Sequence, residues 1–552
     1  MSQVTSTEPA TSNRTPAPGP SVEVFAVYGV EPEIQAYAMA KYSRSALSMK
    51  ESLKEITQQK AEKFLNTFYF QYGHRSIADL AHIALAIERL SILAAIVVVD
   101  EQRWDGQERS TRYQDFRKSG YYTPSFQNDA LENDAPEIGV GASDVSSART
   151  LYRETIESLF TAYDKVSLRT FEYLASITPR PSEMKLEAYE RTLRARAFDI
   201  SRYLLPLATN TSLGEIVNAR TLESQVAHLL SQPHKEVRDL GAQLKQAALS
   251  PAYNANEESL RALVAEIRAV SPEIAERAER ELLREVRVAP TLVKYADPNR
   301  YEIETRRELQ QAAAELTRDT AIEPAPLVDL LDADYHSADS GSNDALEIEL
   351  ATTLLYGHCH YSYRQLRRTI EAAGEARRRE IIDLGLRHRG SHDEMPRPFS
   401  AGQQFRFDIL MDIGGFRDMH RHRRCVQIMQ DFTTGHGFDT PPEVEAAGIR
   451  SEYEFAMKRT ETAVQKLSAT ASEEAKQSAQ YAIPLAFRKR TLFKMDFAEA
   501  VYISELRTTP AGHTSYRNVA YAMYEAVAAK YPALAKYFRV HNVREPVDLL
   551  KR

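Results

Sequence analysis

The chain has 552 residues, with 70 Lys and Arg against 77 Asp and Glu and a formal net charge of −7; at about 100–200 residues per domain, that length allows two to four domains. Its 43% apolar and 27% charged residues are those of a soluble globular protein, and the near-balance of charge gives no electrostatic reason for a nucleic-acid or membrane partner. Two cysteines, Cys359 and Cys425, cannot build a disulfide framework or a cysteine-rich zinc site, which points to a reducing cytoplasm, and the longest apolar run, Ile92–Val99, is far too short to span a bilayer.

Residues 1–21 are rich in Ser, Thr, Pro and Ala, lack an apolar h-region, and read as a disordered tail. Residues 22–28 read as a short strand. The intervals between Leu53, Ile56, Ala61, Phe64 and Leu65 predict a long helix over 49–72. Residues 83–99 are too apolar for a simple amphipathic helix and end in the β-branched run Ile96-Val97-Val98-Val99, so a buried helix or a buried strand both fit. Residues 128–145 read as an acidic loop, followed by helices over 147–177 and 182–197. Residues 251–285 and 300–320 look helical and heavily charged, with 289–300 as a connector between them. Residues 332–343 form a polar loop, and helices dominate from there to the C-terminus.

A weak internal repeat runs through this pattern. Leu205-Pro206-Leu207-Ala208 matches Ile483-Pro484-Leu485-Ala486 at an offset of 278 residues, and Tyr122-Thr123-Pro124 answers Asp439-Thr440-Pro441. The expected organisation is two homologous domains, 22–260 and 325–545, joined by a helical connector over 261–324.

Two polar clusters carry candidate chemistry. The first, Arg417-Asp418-Met419-His420-Arg421-His422-Arg423-Arg424, crowds guanidinium groups that pair bidentately with phosphate or carboxylate. On a helix Arg417 and Arg421 share a face, as do His420 and Arg424. Either an anion site or a solvated basic helix accounts for it. The second, Gln107-Glu108-Arg109-Ser110-Thr111-Arg112-Tyr113, joins carboxylate, hydroxyl, guanidinium and phenol directly after the apolar segment. That set can hold a phosphate monoester, or simply close a buried strand with a polar turn. Trp104 reads as packing and Cys425 as a buried, inert thiol. His358-Cys359-His360 is too compact to converge on one metal ion. The eight arginines between 364 and 389 are interleaved with acids, as on a solvated helical face. There is no dinucleotide fingerprint and no P-loop.

Together these residues resemble the flavin-dependent thymidylate synthases, whose Arg-His-Arg…Ser-x-Arg-Tyr motif, Pro-Leu stretch, Asn-Ala-Arg and Leu-Arg are found here twice, each copy incomplete. The first half has Gly73-His74-Arg75-Ser76, Ser110-Thr111-Arg112-Tyr113, Arg202 before Pro206-Leu207, and Asn218-Ala219-Arg220. It has Asp100, Glu101 and Gln102 in place of Arg-His-Arg, and Leu229 in place of the last arginine. The second half keeps Arg421-His422-Arg423 and Leu506-Arg507 but has Asp431, Phe432, Thr433 and Thr434 for Ser-x-Arg-Tyr, Asp496 for the asparagine and Gln480 for the arginine.

The resemblance implies an α+β fold of two fused domains of the thymidylate-synthase-complementing type, helix-rich around a small, mostly antiparallel sheet. It implies FAD as cofactor, NADPH and methylenetetrahydrofolate as co-substrates, and dUMP or a similar nucleotide as substrate. Arg421, His422 and Arg423 would meet flavin and nucleotide and, with Arg507 at the base, carry catalysis. Glu108, Ser110, Arg112, Arg202 and Arg417 would bind substrate, and Asn218 and Arg220 would line the flavin. Because the halves lose complementary pieces, one composite site would survive, and a homodimer would reproduce the family's tetramer. The family has glutamine where Asp418 stands. A catalytically degenerate nucleotide- or flavin-binding scaffold is the alternative, and nucleic-acid binding through 364–389 a third.

Overall fold

The computed structural model describes residues 29–41, 48–55, 58–67, 75–126, 142–300, 326–331, 342–356, 363–386, 405–469 and 473–550, with Phe25, Val27, 302–304, 306, 307 and Phe399 besides. Two antiparallel sheets organise it. In the first half β1 (His82–Ser91), β2 (Asp105–Glu108) and β3 (Asn210–Asn218) lie in the order β1-β3-β2. In the second, β4 (Val328–Leu331), β5 (Phe405–Asp412), β6 (Val426–Met429) and β7 (Arg488–Met495) lie in the order β4-β5-β7-β6. Buried and half-buried residues alternate strictly along β7, as expected where one sheet face covers the core.

Each half builds the same unit. A strand runs into a short buried helix, a second strand follows, and after a longer helical excursion a central strand leads into another helix. The ambiguous segment 83–99 is both of the elements its composition allowed. Ser91 ends β1 and caps the helix Ile92–Val99, its Oγ accepting the Ala94 N–H at 3.0 Å. Seven of that helix's eight residues are buried, so packing outweighs the β preference of the Ile-Val-Val-Val run. The second half repeats the device: Asp412 ends β5, and its Oδ1 accepts the Gly415 N–H at 2.6 Å to cap Ile413–Met419. Asn218 and Asp496, at the 278-residue offset, cap Ala219–Leu230 and Phe497–Arg507 in the same way, each bond 2.8 Å.

The repeat seen in the sequence is where the halves meet. Pro206 and Pro484 face each other across an antiparallel bridge. Leu207 N–H bonds Ile483 C=O at 2.9 Å and Leu485 N–H bonds Leu205 C=O at 3.0 Å; Ala208 and Ala486 bond Tyr481 and Tyr203 at 2.8 and 3.1 Å. These are two pairs of bonds exchanged by one pseudo-twofold axis, and the prolines, which have no N–H, sit where none is used. The same loops cap the buried helices: Ile92 and Leu93 N–H reach the Thr209 and Leu207 carbonyls, and Ile413 and Gly414 reach those of Phe487 and Leu485.

Other expectations shift. Of the helix expected over 49–72, Met49–Glu55 and Gln58–Leu65 are helical, and 56, 57 and 68–72 fall outside the described residues. The helix expected from 147 begins at Ala142, and that of 182–197 is Leu186–Ser201. Helices Glu257–Val270 and Pro272–Leu282 occupy 251–285 as read, and the chain after them returns to the first half, where the Glu33 carboxylate accepts Thr291 and Leu292 N–H at 2.8 Å each. The tail, the loops at 128–141 and 332–341, His358-Cys359-His360 and nearly all of the strand over 22–28 and the helix over 300–320 fall outside the described residues. No described helix is long and apolar enough to cross a membrane.

Candidate functional site

Five elements converge beside the pseudo-twofold junction. From the first half come the end of β2 with its following turn, carrying Glu108 to Arg112, and the C-terminus of helix Leu186–Ser201 with the 3-10 turn after it, carrying Asp199 and Arg202. From the second come helix Ile413–Met419 with the turn after it, the C-terminus of Phe497–Arg507, and the start of Thr514–Lys530. The basic run is not the continuous helix that would align Arg417 with Arg421 and His420 with Arg424. The helix stops at Met419, His420 is its C-cap, and Arg421–Arg424 lie in the turn before β6. Residues pointing in several directions can then reach different partners.

The charges interlock across the halves. Arg112 pairs bidentately with Asp199, Nε to Oδ1 at 2.9 Å and Nη2 to Oδ2 at 3.0 Å, and also donates to the Tyr516 hydroxyl at 2.8 Å and the Ala511 carbonyl at 2.9 Å. Arg202 is fully buried, 3.4 Å from Asp199 and 3.3 Å from Asp418. Its Nη2 has no partner. Arg417 pairs with Glu108 and donates to the Thr111 hydroxyl at 3.2 Å, while Arg421 lies 4.0 Å from Glu108. Arg423 caps the Trp104 carbonyl, bonds Asp105 at 2.9 Å and stacks over the Trp104 ring at 4.8 Å. Trp104 therefore packs, as read, and also seats Arg423.

His422 lies between Glu499, 3.3 Å from its Nδ1, and Arg507, whose Nε donates to Nε2 at 2.8 Å. Burial lowers its pKa against the raising effect of Glu499. The network thus assigns a neutral imidazole, Nδ1–H toward Glu499 and Nε2 accepting from Arg507. Burial also lowers Arg507, which stacks over the Tyr516 ring at 5.6 Å. Asp199 and Asp418 behave oppositely: burial pushes each up, but the arginines around them more than reverse it and hold both carboxyls ionised below their usual range. His513 adds to the lowering of Asp199.

Of the residues singled out in the sequence, Glu108, Arg112, Arg202, Arg417, Arg421, His422, Arg423 and Arg507 come together. Ser110 sits in the same turn, its Oγ accepting the Arg112 N–H at 3.3 Å. Asn218 and Arg220 bond elsewhere, the first capping its helix and the second pairing with Asp79 at 3.1 Å. Asp199, Tyr516 and Glu499 went unnoticed in the sequence. Asp199 stands three residues before Arg202 at a helix end, a spacing that could have shown it; nothing local marks Tyr516 or Glu499.

The pseudo-equivalent position lacks the guanidinium groups. Gln480 stands for Arg202 and the buried Leu229 for Arg507. Tyr481 packs on Tyr122 at 4.8 Å and His234 at 5.7 Å, and Glu236 takes the Ser91 N–H and O–H at 2.8 and 2.6 Å. A cavity of about 700 Å³ opens on the other side of Asp199, lined by Arg196, His513, Arg517 and the C-terminal segment around Leu549. It shares Asp199 with the guanidinium cluster but none of the arginines named above.

The fold and site define a doubled α+β protein with one guanidinium-rich centre built from both halves. A family model for the thymidylate synthase complementing protein matches residues 27–250 and 342–533, well over half of the chain, and the chain belongs to that family. It is 27% identical over 543 residues to a UPF0159 protein of Chlamydia pneumoniae, covering 94% of this chain and 91% of that one, so that relative shares the doubled length. It is 25% identical over 218 residues to a flavin-dependent thymidylate synthase of Clostridium tetani, covering 39% of this chain and 78% of that one. Among solved structures it is similar to the UMP/dUMP methylase PolB from Streptomyces cacaoi bound with 5-Br dUMP, at 16% identity and a TM-score of 0.28, covering 39% of this chain and 84% of that one.

Proposed function

We propose that this chain is a flavin-dependent methyltransferase of the thymidylate synthase type. It would act on the uracil ring of a dUMP-like substrate in one composite site, with methylenetetrahydrofolate as carbon donor and NADPH as reductant. The observation that carries the reading is direct bonding between the halves: Glu108 pairs with Arg417, Arg202 lies 3.3 Å from Asp418, and Arg112 donates to the Tyr516 hydroxyl and the Ala511 carbonyl. FAD fits the chemistry of the donor set: Arg423 has a buried Nε without a partner and the Arg421 side chain is 39% exposed, so both have capacity for an anionic cofactor. A bound flavin supplies the hydride chemistry.

The protein's own part is orientation and charge. Arg507, fixed by His422 and the Tyr516 ring, would stabilise negative charge developing on the pyrimidine. Glu499 holds His422 in the tautomer that leaves Nε2 free to accept from Arg507. Trp104 fixes the plane of Arg423. Asn218 and Arg220 would reach a flavin only from a second chain, so the working assembly is a homodimer, a pseudo-tetramer of four domains. A cytoplasmic setting follows from the cysteine count.

Purified protein titrated with FAD should turn yellow, and adding dUMP or deoxyuridine should shift the flavin spectrum. Protein that takes up no flavin, yet binds a pyrimidine by calorimetry, would favour the second reading, a catalytically silent binding protein; the saturation of Arg112 by Asp199, Tyr516 and Ala511 is what speaks for it. The nucleic-acid reading loses its basis in the described part of 364–389, where Arg367 pairs with Glu349 and Glu371, Arg377 with Glu380 and Arg379 with Glu347 and Glu375.

A further inference from the structure

The residues that would meet the 5′ end of a nucleotide are already paired with carboxylates of the chain itself. Arg112 makes four hydrogen bonds to Asp199, Tyr516 and Ala511, and both oxygens of Asp199 are bonded to it. Arg202 lies between Asp199 and Asp418, at 3.4 and 3.3 Å, with its side chain 2% exposed. Arg417 is paired with Glu108. Three guanidinium groups therefore stand against three carboxylates, Asp199, Asp418 and Glu108, and this side of the site holds no uncompensated positive charge.

On the other side the balance differs. Arg507 donates its Nε to a neutral imidazole, and Arg421 has only a 4.0 Å approach to Glu108, whose other oxygen belongs to Arg417. Both also feel Asp418, so five guanidinium groups share three carboxylates. The direct pairs lie where a phosphate would sit, and Arg507 and Arg421, where a pyrimidine ring would develop negative charge, meet those carboxylates only at longer range. Hydrogen-bond capacity does remain on the first side: Nη2 of Arg202 and Nε of Arg417 are buried donors without partners. Unfilled donors beside a neutralised charge suit a neutral acceptor such as a hydroxyl or carbonyl oxygen. A phosphate dianion would have to stand among three fixed carboxylates, and the loss of its hydration would go uncompensated.

We propose that Asp418 occupies the charge position that a substrate phosphate would fill, so that the composite site selects a pyrimidine nucleoside with a free 5′-hydroxyl over its 5′-monophosphate. The carboxylate acts by repelling the wrong ligand as much as by pairing with Arg202. It is a specificity-determining residue for the site described above, and the inference rests on that site being the pyrimidine site.

The test is a titration of the flavin-loaded protein with deoxyuridine and with dUMP, read by flavin absorbance and by calorimetry, repeated on Asp418→Asn. For the natural protein deoxyuridine should bind at least as tightly as dUMP. In Asp418→Asn, dUMP affinity should rise about tenfold or more while deoxyuridine changes less than about threefold. A natural protein that binds dUMP more than tenfold tighter than deoxyuridine overturns the inference without the need of any variant, and leaves the methyltransferase reading standing. A protein that binds flavin but neither pyrimidine sinks the reading and the inference together. Should Asp418→Asn fold poorly, the ratio of the two affinities in the natural protein decides alone.

Discussion

Arg112 illustrates how one side chain in this site serves both stability and chemistry. Its bidentate pair with Asp199 is nearly dry, the two side chains 10% and 5% exposed. Arg112→Ala would leave the buried Asp199 carboxylate with only its 3.4 Å approach to Arg202 and should cost about 2–4 kcal/mol in urea unfolding. Arg112→Lys should recover only part of that, since an ammonium group cannot make the two-point contact. Removing Asp199 as well should cost less than the sum of the single losses, which a double-mutant cycle measures. The same scale holds Cys425. Burial pushes its thiol up to about 12, so at pH 8 almost none is thiolate. Mass-mapped alkylation should find Cys425 unmodified in the native protein and fully modified after denaturation; rapid native labelling would refute the buried, inert reading.

Among the elements, β3 carries the clearest pH-sensitive group. Glu215 points into the core of the first sheet, where burial, against a 2.7 Å bond from Gln225, raises its pKa to about 7. A carboxyl with a raised folded pKa takes up its proton in the native state first, so its charged form costs stability above that value and the cost fades as pH falls through it. Glu215→Gln should therefore raise stability at pH 8, by up to about 3 kcal/mol, with the advantage gone by pH 4, below the ordinary carboxyl value. Denaturant midpoints at the two pH values check this. The short helices Ile92–Val99 and Ile413–Met419 make a different point. Their existence depended on caps, Ser91 and Asp412, that composition alone did not reveal, because a polar residue inside an apolar run reads equally as a strand residue or as a cap. The basic run after Met419 was legible as a cluster, but not as a turn: nothing local says where a helix stops when its C-cap, His420, is held by stacking on Phe416 at 4.9 Å and by the Ile96 carbonyl across the axis.

For the whole molecule, the pseudo-twofold axis through Pro206 and Pro484 relates two positions of which one holds the guanidinium cluster and the other has Gln480 and Leu229 where that cluster has Arg202 and Arg507. Flavin titration should consequently saturate at one equivalent per chain. Two equivalents would mean that the position without these arginines also binds flavin. The doubled architecture itself was readable from the 278-residue offset, because Pro-Leu-Ala recurs in the two segments that pair across the axis. That the two tetrapeptides bond to each other could not be read, since a repeat carries no statement about which copies touch.

The sequence by itself carried the family and the duplication, because these rest on residue type and spacing; the antiparallel, helix-rich class came with the resemblance, and the basic and Glu108–Tyr113 clusters were legible as clusters. The tertiary structure alone decided which charges are spent on each other. Asp199, Asp418 and Glu108 are distant from or ambiguous toward their partners along the chain, and only the docking of one half on the other brings Arg112, Arg202 and Arg417 within bonding distance. Electrostatic energy depends on separation and burial, and neither is written in the order of the residues.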